Sequence, residues 1–355
     1  MAEYPGSEHE TRIMPATLAA DVAAIFAACG MSADDAALLA GSLAAADQRG
    51  IHSHGTLRVP EYVDKLTKGG VDPRGRPTLA SDSGAALVID AHNAMGQIAA
   101  AFAMRQAIAR AKQVHVAIAA VRRSNHCGAM DHWAGMALAH GMIGVAMTNA
   151  LPTMAPWGGI DKIVGINPLA VAIPAGDEPP IVLDIAFGAT AHGKIRVYRQ
   201  KGFPIPEGWA FDAAGDPTTD AATAMDGLIQ PIGGHKGVGL GIVMGLLSSL
   251  LSGAAYGTEL GNMVDGAKPG HDGHLFMAID IAAFQPLAAV RQRVDAASRQ
   301  ITASRRRAGV ERLYPPGLLE HEFAARYAID GIPLNAETLD GIRTAGRRFG
   351  LGVLR

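Results

Sequence analysis

Apolar positions recur at helical spacing over residues 16–28, where alanine dominates, and Gly30 stops the run. Ser32 followed by Asp35 reads as a capping-box-like start to a second helix that ends near Gly50. The pattern then changes to alternation. A strand is predicted at 85–90, a helix at 97–113, a strand at 116–121, a helix at 129–140 and a strand at 143–148. Further strands are expected near 169–173 and 181–185, then a helix at 189–200, a loop-rich passage over 201–220 and a strand at 274–280. Asn335 has the character of an N-cap for a helix over 336–348. Alternation of this kind predicts an α/β core, with a mixed or parallel sheet covered by helices. The helical stretches at the two ends suggest an outer helical layer. We accordingly divide the chain into an N-terminal helical part (1–120), a central α/β part (121–310) and a C-terminal segment (311–355) that packs back on the first.

The longest apolar run, "VGLGIVMGLLSSLLSGAA" over 238–255, is nearly long enough to span a bilayer. Its small residues argue for a buried helix instead. Gly237, Gly241, Gly245 and Ser249 share one face, where another backbone or a ligand can approach closely. No basic flank marks it as a membrane anchor.

With 49% apolar and 18% charged residues the composition is that of a globular protein. A net charge of −2, with only the short "SRRRAG" run at 304–309 as a basic cluster, argues against a nucleic-acid partner. Cys29 and Cys127 show neither CxxC nor disulfide-like spacing, which suggests a reducing compartment. The polar stretch "MAEYPGSEHETRIMP" over 1–15 lacks the features of a signal peptide, so the cytoplasm is the expected location.

Three stretches concentrate chemistry. "GIHSHGTLRVPEY" (50–62) places His54, Arg58 and Tyr62 four residues apart, on one face if a helix begins around 55–59, with Pro60 tolerated only in its first turn. A guanidinium grips a carboxylate, and an imidazole beside it exchanges a proton near neutral pH. An enzyme of small 2-oxo or 2-hydroxy acids needs both groups, yet the same residues suit a solvated helix start. His52 and His54, at i and i+2, would share one side of a strand as metal ligands, but no nearby carboxylate or cysteine completes a set. "RSNHCGAMDHW" (122–133) runs from a strand into a helix, so Ser124, Asn125 and His126 are placed to meet a cofactor and Gly128 lets its backbone approach. An ordinary capped turn is the competing reading, and no base is evident to activate Cys127. "PIGGHKGVGLG" (231–241) offers glycines, His235 and Lys236 at a helix start, a combination suited to phosphate or to a simple turn. It is neither a P-loop nor a GxGxxG fingerprint.

Together these stretches resemble the malate/L-lactate dehydrogenase family of the second type, the sulfolactate-dehydrogenase-like oxidoreductases. The resemblance is carried in order by "SHGTLRVPEY" (53–62), "SNHCGA" (124–129), "APWGG" (155–159), "INPLAVAIP" (166–174) and "VLDIA" (182–186). It continues through "IPEGWAFDAAGDPTTD" (205–220), "GGHKGVGL" (233–240) and "FMAID" (276–280). It implies a non-Rossmann fold, NAD or NADP as cofactor, a small carboxylate substrate and a homodimer with its substrate site near the subunit boundary.

By that resemblance His54 exchanges the proton with Ser53 assisting, while Arg58, Tyr62 and His126 contact substrate. His126, Gly128, Asn167, Asp184, Ile185, Ala186, His235, Lys236, Pro316 and Gly317 are the implied cofactor contacts. No metal is implied. Three departures stand out: His52 where an acidic or small residue is frequent, Leu318 where a glutamate is common, and Phe187-Gly188 where threonine and serine are common. The expected activity is hydride transfer between a nicotinamide and a 2-oxo/2-hydroxy acid such as malate, lactate or sulfolactate. Reduction of a cyclic-imine carboxylate is the enzymatic alternative. A zinc hydrolase built on His52 and His54, and a silent small-molecule binder, are the readings from other classes.

Overall fold

The computed structural model describes residues 9–354, so residues 1–8 of the stretch read above for targeting lie outside it. The chain opens with β1 (Thr11–Ile13), α1 (Pro15–Ala28) and α2 (Ala33–Gln48), then enters α3 (Val59–Lys68). Next come β2 (Thr78–Ser83), β3 (Ala86–Asp90), α4 (Gly96–Val114), β4 (Val116–Ser124), α5 (Met130–Gly135) and β5 (Met142–Thr148). β6 (Pro152–Met154), β7 (Val164–Gly165), β8 (Leu169–Ile173), β9 (Ile181–Ile185) and α6 (His192–Lys201) follow. β10 (Ala210–Phe211), β11 (Pro217–Thr218), α7 (Ala221–Asp226), β12 (Leu228–Ile229) and α8 (His235–Leu250) lead to β13 (Asp272–Asp280) and α9 (Leu287–Ala303). α10 (Leu318–Asp330), β14 (Ile332–Leu334) and α11 (Ala336–Arg347) complete the order.

The central sheet has the order β2-β3-β4-β13-β5-β8-β9. Only β3 and β4, joined by α4, run parallel; every other neighbour is antiparallel, so the sheet is mixed. Alanine sets its spacing. Ala99, Ala100, Ala103, Ala107 and Ala111 of α4 share a core with Ala117 and Ala119 of β4 and Ala278 of β13, and such short side chains let a helix lie close on a sheet. The turn after β4 and the end of β9, which carry much of the candidate site, therefore hang from a tightly packed base.

A second core is helical. Leu18, Val22, Ile25 and Phe26 of α1 meet Leu39 and Leu43 of α2, Val59 and Val63 of α3, and Leu339 and Ile342 of α11. β1 pairs with β14, which brings the two ends of the chain together. Both predicted caps are present: the Ser32 hydroxyl accepts the Asp35 amide, and Asn335 Oδ1 accepts the Thr338 amide at 2.8 Å. A smaller core around Met154, Val164, Ile195 and Ile205 forms beside the sheet.

Two expectations change. The helix predicted over 129–140 stops at Gly135 and resumes only as a 3-10 turn at Leu138–His140. The passage 201–220 contains β10 and β11. α8 starts three residues before the run predicted for it and buries Gly237, Gly241, Gly245 and Ser249, as their common face implied. A Cβ at Gly237 would lie 1.9 Å from the Ile232 carbonyl oxygen and one at Gly245 2.4 Å from the Asn167 side chain, so backbone and side chain together close on that stripe. No helix among the described residues is long and apolar enough to cross a membrane.

Candidate active site

The segment between α2 and α3 is not one helix. His52–His54 and Thr56–Arg58 form separate 3-10 turns, split by Gly55 in an extended conformation, and Pro60 falls in the first turn of α3. The single face expected for His54, Arg58 and Tyr62 is therefore assembled from three pieces. Asp47, buried near the end of α2, organises them. Its Oδ2 accepts the Thr56 amide at 2.7 Å and the Thr56 hydroxyl at 2.6 Å, and its Oδ1 lies 2.8 Å from His52 Nδ1. A Cβ on Gly55 would sit 2.0 Å from that Oδ1, so only glycine fits over the carboxylate.

This arrangement separates the two imidazoles. His52 is held by Asp47 and lines a small cavity with Lys194, Arg196 and Asn335, whereas His54 lines a larger cleft. They do not share one side of a strand, which corrects the spacing argument for a metal pair. Among the described residues no group of three or more His, Cys, Asp or Glu could hold a metal ion.

The cleft has two chambers. One, of about 560 Å³, is lined by His54, Arg58, Glu61, Tyr62, His126, Arg196 and Asp272. The other, of about 460 Å³, is lined by Ser53, His54, Asp131, Asp184, Ala186, Pro316 and Gly317. His54 and Gly128 belong to both walls. Each volume suits a small organic molecule or part of a larger one.

Among the ten expected cofactor residues His126 lines the first chamber, while five, Gly128, Asp184, Ala186, Pro316 and Gly317, line the second. Ile185 is not among its lining residues, although Asp184 and Ala186 are. Asn167 lies inside the protein, where its Oδ1 accepts the Ala150 amide and its Nδ2 donates to the Gly241 carbonyl, each at 2.8 Å. His235 and Lys236 occupy the exposed start of α8, with the His235 ring set edge-on to Trp157 at 6.2 Å. Both lie outside the two chambers.

The departures acquire positions as well. Gly317 has φ +86°, and a Cβ there would meet Val182 of β9 at 2.7 Å, so this turn closes directly on the strand. Leu318 does not line the chamber, but Glu320 on the same helix does. A Cβ at Gly188 would lie 2.7 Å from Ile166, leaving little room for a serine.

Burial sets the electrostatics. It lowers His54 to about 4, with the Arg58 charge adding to the effect, and Ser53 Oγ lies 2.9 Å from His54 Nδ1. His126 is pushed well below the usual imidazole range by burial and then by His54, whose ring stacks on it at 5.6 Å. Tyr62 is almost wholly buried, with its hydroxyl 2.6 Å from His126 Nδ1 and 3.0 Å from the Gln97 amide nitrogen. Arg58 donates to the Ser53 carbonyl and to Glu61, each at 2.8 Å. Glu61 also faces Arg196 at 3.5 Å. Asp272 is raised to about 7 by burial, against the opposing charge of Lys65. Asp184 is raised by burial and then by the Asp131 carboxylate, while accepting the Asp131 amide at 2.9 Å. Burial keeps the Cys127 thiol protonated, so it is no ready nucleophile.

Asp47, Glu61, Gln97, Asp131, Arg196 and Asp272 were not singled out from sequence. Only Asp131 and Glu61 lie inside quoted motifs, and the chemistry of the others depends on tertiary placement.

A family model for malate/L-lactate dehydrogenases matches residues 13–343. The chain belongs to the malate/L-lactate dehydrogenase family. It is 35% identical to malate dehydrogenase of Pyrococcus abyssi over 97% of this chain and 96% of that one. It superposes on the sulfolactate dehydrogenase of Methanocaldococcus jannaschii with a TM-score of 0.89, at 33% identity over 96% of this chain and 98% of that structure. The Δ1-pyrroline-2-carboxylate/Δ1-piperideine-2-carboxylate reductase of Pseudomonas putida is 30% identical over 96% and 98% of the two chains. This dehydrogenase-family chain is thus an oxidoreductase, in a family whose dehydrogenases use nicotinamide cofactors.

Proposed function

We propose that the protein transfers hydride between NAD(H) or NADP(H) and a small 2-hydroxy/2-oxo acid of the malate, lactate or sulfolactate kind. The observation that carries this reading is the position of His54 in the wall shared by two chambers, with Arg58 in one and the Gly317 turn in the other. The second chamber fits a nicotinamide cofactor. Its wall combines apolar Ala186 and Pro316 with backbone exposed at Gly128 and Gly317, both at positive φ, where no side chain blocks a flat ring or a phosphate. Bound there, the nicotinamide supplies or accepts the hydride. Ser53, Gly128, Asp184, Ala186, Pro316 and Gly317 would hold it.

The chain's own residues handle the proton and the carboxylate. Ser53 engages Nδ1 of His54 and leaves Nε2 for the substrate. In oxidation, neutral His54 takes the hydroxyl proton as hydride departs. In reduction, protonated His54 returns it to the oxygen on which charge develops. Burial and Arg58 both disfavour the protonated form in the free protein. A substrate carboxylate on Arg58 offsets the second, smaller effect and so makes the protonated form less unfavourable in the complex. Glu61 already occupies part of the guanidinium, and the carboxylate must share or displace that contact.

The Pseudomonas putida relative supports a second reading, reduction of a cyclic imine beside a carboxylate, since the same grip and proton donor serve a C=N bond. A spectrophotometric panel of 2-oxo acids and cyclic imines with NADH and NADPH separates the two. Oxo-acid turnover is expected to dominate, and Arg58→Lys is expected to raise its KM by about tenfold or more, because the planar fork is lost. Turnover confined to imines, or a KM unmoved by the substitution, would defeat the corresponding part of the proposal.

We place the enzyme in the cytoplasm and read it as a homodimer. Leu240, Val243, Leu247 and Leu250 expose apolar side chains on α8, a surface suited to a second copy of this chain. Sedimentation equilibrium is expected to show a dimer that Leu247→Lys weakens; a monomeric wild type would rule it out.

A further inference from the structure

We infer that Gln97, acting through Tyr62, locks His126 in the tautomer that carries its proton on Nε2, making it a neutral hydrogen-bond donor to the substrate oxygen while His54 moves the proton. The inference rests on the oxo-acid reading of the cleft and adds a positioning residue to it.

The assignment begins at a group with only one option. The Gly128 amide N–H can only donate, and it points at His126 Nδ1 at 3.4 Å. Nδ1 is therefore an acceptor. The Tyr62 hydroxyl, 2.6 Å from the same nitrogen, donates to it, which leaves the phenolic oxygen to accept the Gln97 amide N–H at 3.0 Å. Every hydrogen bond in the series then runs in one direction, from Gln97 to Tyr62 to His126. With Nδ1 receiving two donors, the neutral ring holds its proton on Nε2, which has no hydrogen-bond partner among the described residues. His126 itself lines the substrate chamber.

Gln97 is built into this position. It is fully buried, and its Oε1 has no hydrogen-bond partner among the described residues. Burying an amide with its acceptor unpaired is costly, so its donor is the part the site uses. Its neighbour Gly96 fixes the placement: a Cβ there would lie 2.0 Å from the Asn125 carbonyl oxygen and 2.4 Å from that of His126. The start of α4 is thus pressed against the backbone that carries His126.

The test uses ¹⁵N spectra of the free enzyme, with the His126 signals assigned by their loss in His126→Asn. The inference expects an unprotonated Nδ1 and a protonated Nε2. Gln97→Met leaves the Tyr62 hydroxyl free to turn away and only the long 3.4 Å Gly128 contact on Nδ1, so it should raise the share of the Nδ1-protonated tautomer and lower kcat by about 10- to 100-fold with the KM for cofactor within about twofold. Gln97→Glu keeps the shape but donates only when its buried carboxyl is protonated. Its activity relative to wild type should recover as pH falls, which a packing defect would not produce. A wild-type ring protonated on Nδ1 would overturn the inference, as would Gln97→Met with unchanged spectra and kcat. The spectra need no turnover, so a wild type inactive on every oxo acid and imine would reject the proposed function while the tautomer is still decided.

Discussion

His54→Ala is expected to lower kcat by about 10²- to 10⁴-fold in both directions while cofactor affinity stays within about twofold. The loss should be large because the side chain stands in the wall between the chambers, where the hydrogen-bonded ring has no second imidazole able to replace it. His126, the ring stacked on it, is held by Tyr62 and is itself pushed well below the usual imidazole range by burial. The pH dependence has a definite sign. Oxidation needs neutral His54, so kcat/KM for the hydroxy acid should not fall as pH drops from 7 until it nears about 4, the value for the free protein. Below that it should lose about tenfold per pH unit. Reduction needs the protonated form and should weaken as pH rises, with an apparent pKa above 4 because the substrate carboxylate offsets Arg58. Fluorescence titration of cofactor and pH profiles in both directions provide the check. An unchanged kcat in the variant, or an acid limb near 6.5 in oxidation, would contradict the assignment.

Asp47→Ala is expected to cost about 3 kcal/mol of stability and to reduce activity together with it. The carboxylate is almost fully buried, and its removal strands the Thr56 amide and hydroxyl, in a residue that is itself 0% exposed. It also removes the 2.8 Å contact to His52, so the segment bearing Ser53 and His54 loses support at both ends. Asp47→Asn should be milder, since an amide oxygen in the place of Oδ2 still accepts both the Thr56 amide and its hydroxyl. Thermal unfolding read beside kcat tests this: a variant that melts like wild type would show that the segment is held elsewhere.

What the sequence made legible follows from the range of the forces involved. α4, predicted over 97–113 and found at Gly96–Val114, announces itself through local apolar spacing, as do β8 and β9, found over the residues predicted for them. Caps at Ser32 and Asn335 are equally local. β1 and β14 were missed because three-residue strands have no periodicity to read, and their pairing spans more than 300 residues. The site divides in the same way. The Ser53–Tyr62 cluster was visible as unusual chemistry within ten residues, but its helical face was not the true geometry, because Gly55 and Asp47 redirect the chain there. Gln97 reads as one polar position in an ordinary helix. Only the placement of α4 against 125–126 gives it a role. Asn167 carried a motif's chemistry in sequence, yet the structure spends both ends of its amide on backbone.

The strand order has a consequence for how such a chain is made. β13 lies between β4 and β5, though about 150 residues of chain separate it from the first of them. During synthesis, β4 and β5 therefore leave the ribosome long before the strand that joins them. Until residue 280 is available, both present unpaired edges with alanine-rich faces, open to wrong partners. A long closure of this kind makes sheet completion a slow, late event, and the finished walls around His126 and Asp272 appear only once it has occurred. The enzyme's growing chain thus carries its reactive histidines early and its working cleft last.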